Sequence, residues 1–318
     1  MSLALACLMF VLALGLVLYA AEKLVLGTMG LSLSFGWPSF LISVLFVGFD
    51  PKNLAVGATG AYEGVYGIAL GSIIGAAMVA VALVLGIKAL ICPLEFASAP
   101  KRLLALPPFA VLLFGALGFD GTVSRVDGLI LLLGFVLSVF TMIRASKKGQ
   151  GIKPAGEAAE CLEEAGKLGK IKALGVFALS LATIVAGSEL LVLASKTILS
   201  GLRISDTVFG MIIVSFLVNV EKLARELPAA LKGGADIAYG NVTGSVLTFF
   251  LFNAGMIALV HPVRVERTVE TSYLLVCFLA VFMGSLFLAR ERLGRAQGAI
   301  LVLLYAVFLA MGMGRGAR

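Results

Sequence analysis

Residues 63–75 read Glu-Gly-Val-Tyr-Gly-Ile-Ala-Leu-Gly-Ser-Ile-Ile-Gly, and residues 232–244 read Lys-Gly-Gly-Ala-Asp-Ile-Ala-Tyr-Gly-Asn-Val-Thr-Gly. Gly64, Gly71 and Gly75 fall on Gly233, Gly240 and Gly244 without a gap, at an offset of 169 residues, and Ile68-Ala69 falls on Ile237-Ala238. A second match precedes it: Ala20-Ala21-Glu22-Lys23-Leu24-Val25-Leu26-Gly27 against Gly187-Ser188-Glu189-Leu190-Leu191-Val192-Leu193-Ala194. The spaced glycines and the shared Ile-Ala-x-Gly run mark the chain as a doubled unit.

What solvates the two units is set by composition. Of 318 residues, 60% are hydrophobic and 14% charged, with mean hydropathy +1.08. A soluble domain averages about 45–50% apolar and about 25% charged residues. An ordinary soluble enzyme, a disordered chain and a disulfide scaffold are excluded, and lipid is the expected surrounding. Ten apolar segments can be drawn, at 3–33, 38–62, 65–92, 103–119, 126–143, 172–199, 204–231, 236–260, 270–289 and 296–314. Each is expected to be helical, because backbone groups in hydrocarbon must be satisfied within the segment. The expected fold is all-α integral membrane: about ten transmembrane helices in two five-helix repeats. Five spans is an odd number, so the second copy enters the membrane upside down. Such inverted repeats are a secondary-transporter architecture, with the transport site near the midplane between copies.

The stretch from Arg144 to Lys172 holds seven Lys/Arg and four Glu and is too polar for the bilayer. It divides the chain into a first repeat (1–143), a linker (144–171) and a second repeat (172–318), and Glu157 to Lys172 reads as a short surface helix. The linker and the connectors on its side carry 14 basic residues, the opposite side seven. That bias places the linker in the cytoplasm and both termini outside a plasma or inner membrane. The run Ser2 to Ala21 lacks a basic n-region and reads as the first span.

Other chemistries find no support in the residues. The net charge of +7 lies in loops and forms no basic stripe with interleaved aromatics, so nucleic acid is not an expected partner. Cys7, Cys92, Cys161 and Cys277 form no CxxC pair. His261, beside Pro262, reads as a solvated loop residue. No Walker A loop, nucleophile elbow or HExxH motif occurs. No enzyme activity and no resident cofactor are expected. The expected partners are the bilayer and small inorganic cations, and the sequence names no protein partner.

The second half resembles the cation/calcium antiporter superfamily, which includes the sodium/calcium exchangers. Gly187-Ser188-Glu189-Leu190-Leu191-Val192 is similar to that family's repeat opening. Gly201 to Gly210, Gly-Leu-Arg-Ile-Ser-Asp-Thr-Val-Phe-Gly, is similar to its Gly-Ile-Ser-x-x-Val-x-Gly entry to the next span. Residues 229–245 are similar to the stretch leading into its eighth span. The resemblance implies ten helices, inverted five-helix repeats and ion exchange by alternating access. The family's ion motif, roughly Gly-Thr-Ser-Leu-Pro-Glu in each repeat, aligns with Gly48-Phe49-Asp50-Pro51-Lys52-Asn53 and Leu217-Val218-Asn219-Val220-Glu221-Lys222. Its glutamates become Asn53 and Lys222, and its serines Asp50 and Asn219. The Asn or Asp expected one span later reads Ala80 and Phe249. The serine of Gly-Ser persists as Ser245, opposite Ala76.

Calcium takes six to eight oxygen ligands, usually including several carboxylates. The aligned positions offer one carboxylate, Asp50, the amides of Asn53 and Asn219, and the Ser245 hydroxyl. Asp50, Asn53 and Asn219 are the candidate metal ligands. Lys222 puts an ammonium where the family has a ligand, which favours a monovalent cation or a proton over calcium. Asp50 and Lys222 occupy neighbouring motif positions on the two copies, which the resemblance implies face each other, so they are expected to pair, since an unpaired intramembrane ion is costly. Burial disfavours a charged amine, so Lys222 is also a candidate proton carrier. Glu221 and Glu226 are candidates for lining the ion path. In competition, Glu221 with Arg225 and Lys222 with Glu226 stand at i,i+4 and can neutralise each other along one helix. Pro51 is expected to break its span and free backbone carbonyls, and Lys52 to point away from Asp50. Glu22, Lys23 and Glu189 read as anchors near span ends, and Glu63 and Asp236 as solvated turn residues. The glycines four apart predict close helix contact. The expected function is antiport of sodium or another monovalent cation against protons or a second cation. The alternatives are a sodium/calcium exchanger proper with ligands outside the aligned motif, or a non-transporting relative that keeps the fold.

Overall fold

The computed structural model describes residues 2–35, 50–95, 101–145, 163–231 and 242–313. Among them the apolar segments form helices: α1 (Leu3–Ser34), α2 (Pro51–Tyr62), α3 (Tyr66–Ile91), α4 (Leu106–Gly118), α5 (Arg125–Ala145), α6 (Lys170–Leu202), α7 (206–231), α8 (Val242–Val260), α9 (Val269–Ala289) and α10 (Arg295–Met313). Seven of them (α1, α3, α5, α6, α8, α9 and α10) are long and apolar enough to cross a membrane. The chain is an all-α membrane protein whose outer helices turn Leu, Val and Phe outward: Leu12 on α1, Leu133 on α5, Leu179 on α6 and Leu303 on α10 are all exposed. Several hydroxyls inside these helices donate to the carbonyl one turn back, as Thr28 does to Leu24, Ser138 to Gly134 and Ser195 to Leu191.

α1 and α6 pack along each other and, at 32 and 33 residues, are longer than the roughly 20 residues a hydrocarbon core requires. Glu22 and Glu189 each stand 19 residues beyond their helix starts, roughly 28 Å along the axis. A hydrocarbon core is about 30 Å thick, so both carboxylates fall near its far edge if the helix start marks the near one.

α3 is the central helix and is buried nearly throughout. It crosses α7 backbone to backbone, because neither Gly71 nor Gly210 has a side chain to hold them apart. A Cβ on Gly71 would strike the Gly210 carbonyl, and one on Gly210 would strike that of Gly67. The Asp206 carboxylate accepts the Gly67 N–H at 3.0 Å, closing an open amide in the first turn of α3. Gly71 and Gly75 thus do supply the close contact their spacing predicts. Gly240 lies outside the described residues.

Two short antiparallel pairings tie the connectors together. Leu94–Glu95 pairs with Arg292–Leu293, and Thr122–Val123 pairs with Val263–Arg264. Each joins two connectors that the count of basic residues puts on one side. Turns of π-helix occur at Val79–Val84 in α3 and at Thr248–Asn253 in α8, 169 residues apart at both ends.

One expectation changes. The surface helix drawn over 157–172 is broken: residues 163–166 make a turn of helix, the chain then bends, and α6 starts at Lys170 with Gly169 before it. Gly166 and Gly169 supply the break, and Ala165 with Leu168 packs on Leu26 and Met29 of α1. In the span drawn over 38–62, a helix starts at Pro51 after the non-helical Asp50, the break expected there, and residues 38–49 lie outside the described part.

Candidate functional site

α2 starts with a proline at its first position and Asp50 as its N-cap. Proline fits there because the missing N–H would have no partner in the helix. The Asp50 carboxylate accepts the Asn53 N–H at 3.4 Å, and the helix N-terminus favours its negative charge. The groups that Pro51 leaves at the site are therefore amide N–H donors of a starting helix. The carbonyls expected there would belong to residues before Asp50, outside the described part.

α7 lies opposite and presents Asn219, Glu221 and Lys222. The Lys222 ammonium is 3.0 Å from Asp50 Oδ2 as an ion pair. It also sits over the Phe249 ring of α8, 4.6 Å from its centroid, close enough for a cation–π attraction. Asn53 Nδ2 donates to Asn219 Oδ1 at 2.8 Å, and Asn219 Nδ2 donates back to Asn53 Oδ1 at 3.2 Å. Asn219 Nδ2 also donates to the Ser215 carbonyl at 2.8 Å, which fixes its amide along the helix. Lys52 forms an ion pair with Glu221, and its ammonium is 3.9 Å from Asp50 Oδ1. Asp50, Lys52, Asn53 and Asn219 are all buried.

The cluster brings together Asp50, Asn53, Asn219, Glu221 and Lys222 from the aligned motif positions. Ser245 is buried on α8 four residues before Phe249, and no hydrogen bond joins it to the cluster among the described residues. The side chain of Glu226 lies outside the described part. One reading is corrected, and the side chains of Arg225 and Glu226, the partners expected along α7, lie outside the described part. Lys52 turns toward Asp50 rather than away, because an N-cap carboxylate overhangs the first turn, where a lysine stem two residues on can reach it. Glu221 turns to Lys52 on α2, and Lys222 to Asp50 on the same helix, so both make contacts across the two halves. Away from the cluster, Glu63 is half-exposed as expected but bonds Lys196 of α6 at 2.6 Å. Asp236 lies outside the described residues. Sequence reasoning missed Lys52 as a member of the site. The available signal was its alignment with Glu221, a residue of opposite charge at the same repeat position.

Chemically, two carboxylates and two ammoniums sum to zero formal charge, and the two amides bond each other. Among the described residues no group of three or more His, Cys, Asp or Glu side chains could hold a metal ion.

A multi-pass helical protein with a neutralised charge cluster where a helix starts inside the bundle is built like an ion transporter. The sodium/calcium exchanger protein family model matches residues 5–144 and 172–313. The chain belongs to that family, which is one of transporters rather than enzymes. It is 27% identical over 297 residues to the putative antiporter CaxA of Alkalimonas amylolytica, covering 91% of this chain and 93% of that one. It is 25% identical over 313 residues to the inner membrane protein YrbG of Escherichia coli K12, covering 96% of each. Among solved structures, the sodium-calcium exchanger NCX_Mj soaked with sodium and strontium matches with a TM-score of 0.61 at 25% identity, over 97% of this chain and 99% of that one.

Proposed function

We propose that this protein is a secondary cation antiporter in which sodium or another monovalent cation exchanges for protons or a second cation at Asp50, in competition with Lys222. The observation that carries the reading is the 3.0 Å contact between Asp50 on α2 and Lys222 on α7. The buried carboxylate holds a positive charge when no ion is bound, and an ion arriving at Asp50 releases it. Lys222 then swings away as an ammonium or yields its proton. Asn53 and Asn219 supply amide oxygens to the incoming ion when their mutual hydrogen bonds open, and these with Asp50 form its ligand set. A doubly charged ion is disfavoured, because two ammoniums stand within 4 Å of the same carboxylate.

The ten helices are two inverted five-helix repeats, 1–143 and 172–318, joined by a cytoplasmic linker at 144–171, with both termini outside an inner or plasma membrane. What supports this is the pairing of contacts across the halves. Asp50 corresponds to Asn219, and Asn53 to Lys222, so the Asn53–Asn219 contact is the repeat counterpart of Lys222–Asp50. The two connector pairings are counterparts in the same way. No resident cofactor is needed; the bilayer and small cations are the partners.

The test is a flux panel in proteoliposomes, cation by cation and across pH, with an internal pH dye. Sodium-driven proton movement that loses its pH dependence in Lys222→Met is the expected result. Calcium-dependent sodium flux at the parent's full rate would replace this reading with sodium/calcium exchange. An absence of flux for every cation would leave a non-transporting relative.

A further inference from the structure

Lys52 and Glu221 occupy the same position in the two repeats, 169 residues apart, and they contact each other. A residue can touch its own counterpart only where the axis relating the two copies passes between them. This differs from the other contacts of the cluster, which occur as a counterpart pair, Asn53–Asn219 and Lys222–Asp50. In an inverted-repeat transporter the two access states arise by rocking one repeat against the other around the site. If the copies trade conformations, paired contacts trade geometries, while a contact on the axis maps onto itself. The aligned family motif has proline at this position in both copies, so the opposite charges here belong to this chain.

We infer that the Lys52–Glu221 ion pair is the fixed contact on the repeat axis, that it sets the cation affinity of Asp50, and that it leaves Lys222 as the ammonium that departs. The inference rests on the exchange reading above. Asp50 lies between two ammoniums, at 3.0 Å from Lys222 and 3.9 Å from Lys52. Lys52 has a carboxylate of its own on the opposite helix. Lys222 shares Asp50 with an aromatic face, which holds a cation less firmly than a carboxylate does. The Lys222 side chain is also the more exposed of the two, at 15% against 7%. Glu221 therefore acts as a positioning residue: it keeps Lys52 from closing on Asp50 and competing with the ion.

The experiment compares Lys52→Met, Glu221→Met and the double variant, as purified protein and in proteoliposomes, with sodium chloride as the probe. Removing one member of a buried pair takes a counter-charge from the other, whereas removing both is close to neutral. The double variant is expected to melt at least about 5 °C above either single variant. Its half-saturating sodium concentration, read from flux or from sodium-dependent thermal shift, is expected to fall about threefold or more, because a fixed positive charge has left Asp50. Glu221→Met alone releases Lys52 toward Asp50 and is expected to raise half-saturation about tenfold. A double variant that melts with or below the singles overturns the inference, as does an unchanged or raised half-saturation in a parent that responds to sodium. A parent with no sodium response of either kind overturns the exchange reading, while the melting order still decides whether the pair holds the two halves together.

Discussion

Replacing Lys222 by methionine removes the ammonium from Asp50 and keeps most of the stem volume. Stranding one member of a buried ion pair costs about 3–5 kcal/mol. Here Lys222 is partly exposed, at 15% of its side chain, and Asp50 keeps Lys52 at 3.9 Å. The N-terminus of α2 returns about 0.3–1 kcal/mol to the carboxylate. The loss should therefore lie near the bottom of the range, about 2–3 kcal/mol, or roughly 5–10 °C in melting temperature. The vacated position is next to a carboxylate, so sodium should fill it. At 100 times its dissociation constant, a bound ion contributes about 2.7 kcal/mol, enough to cancel most of the loss. Thermal unfolding in detergent, with sodium chloride titrated against choline chloride at constant ionic strength, reads both effects. The variant should melt well below the parent in choline and approach it in sodium. A variant that melts with the parent in choline and ignores sodium would refute the idea that Lys222 stands in for a cation.

Other perturbations probe the surrounding parts. Asp50→Asn should abolish any sodium-dependent thermal shift, because the carboxylate that holds Lys222 is gone; a persisting shift would place the ion elsewhere. Phe249→Leu removes the ring under Lys222, a contact of about 0.5–2 kcal/mol, and also loosens a fully buried core position; it should lower the melting temperature more in the parent than in a Lys222→Met background, the difference being the share of the loss that belongs to the ring–ammonium contact. A double-mutant cycle with Asn53→Ala and Asn219→Ala should give a coupling of about 0.5–3 kcal/mol, and additive losses would show that the two amides do not act together. Gly71→Leu should prevent folding of the α3–α7 crossing, seen as loss of a monodisperse species on size exclusion, whereas Gly15→Leu, on the open face of α1, should purify like the parent.

The membrane class was legible from composition alone, because a chain this apolar has no soluble solution. Helix positions followed from segment length. α1 and α6 were expected at 3–33 and 172–199 and are observed as Leu3–Ser34 and Lys170–Leu202. The family resemblance put Asp50 and Lys222 at facing motif positions, and the structure pairs them. A local rule failed at the start of α2. Neighbour rules turn Lys52 away from Asp50. They overlook that Asp50 caps α2, which lets the lysine stem of the first turn reach it.

The sequence by itself determined that lipid is the solvent, that the chain is a doubled unit, and which residues stand at corresponding positions. These are consequences of composition and of order along the chain, and they need no third dimension. Only the tertiary structure decided which charge neutralises which. Ion pairing depends on distances of a few ångströms between helices far apart in sequence, and the starting point of α2 and the glycine crossing of α3 with α7 set those distances. The meeting of Lys52 with Glu221 is the clearest case, since two residues in corresponding positions touch only where the halves of the fold come together.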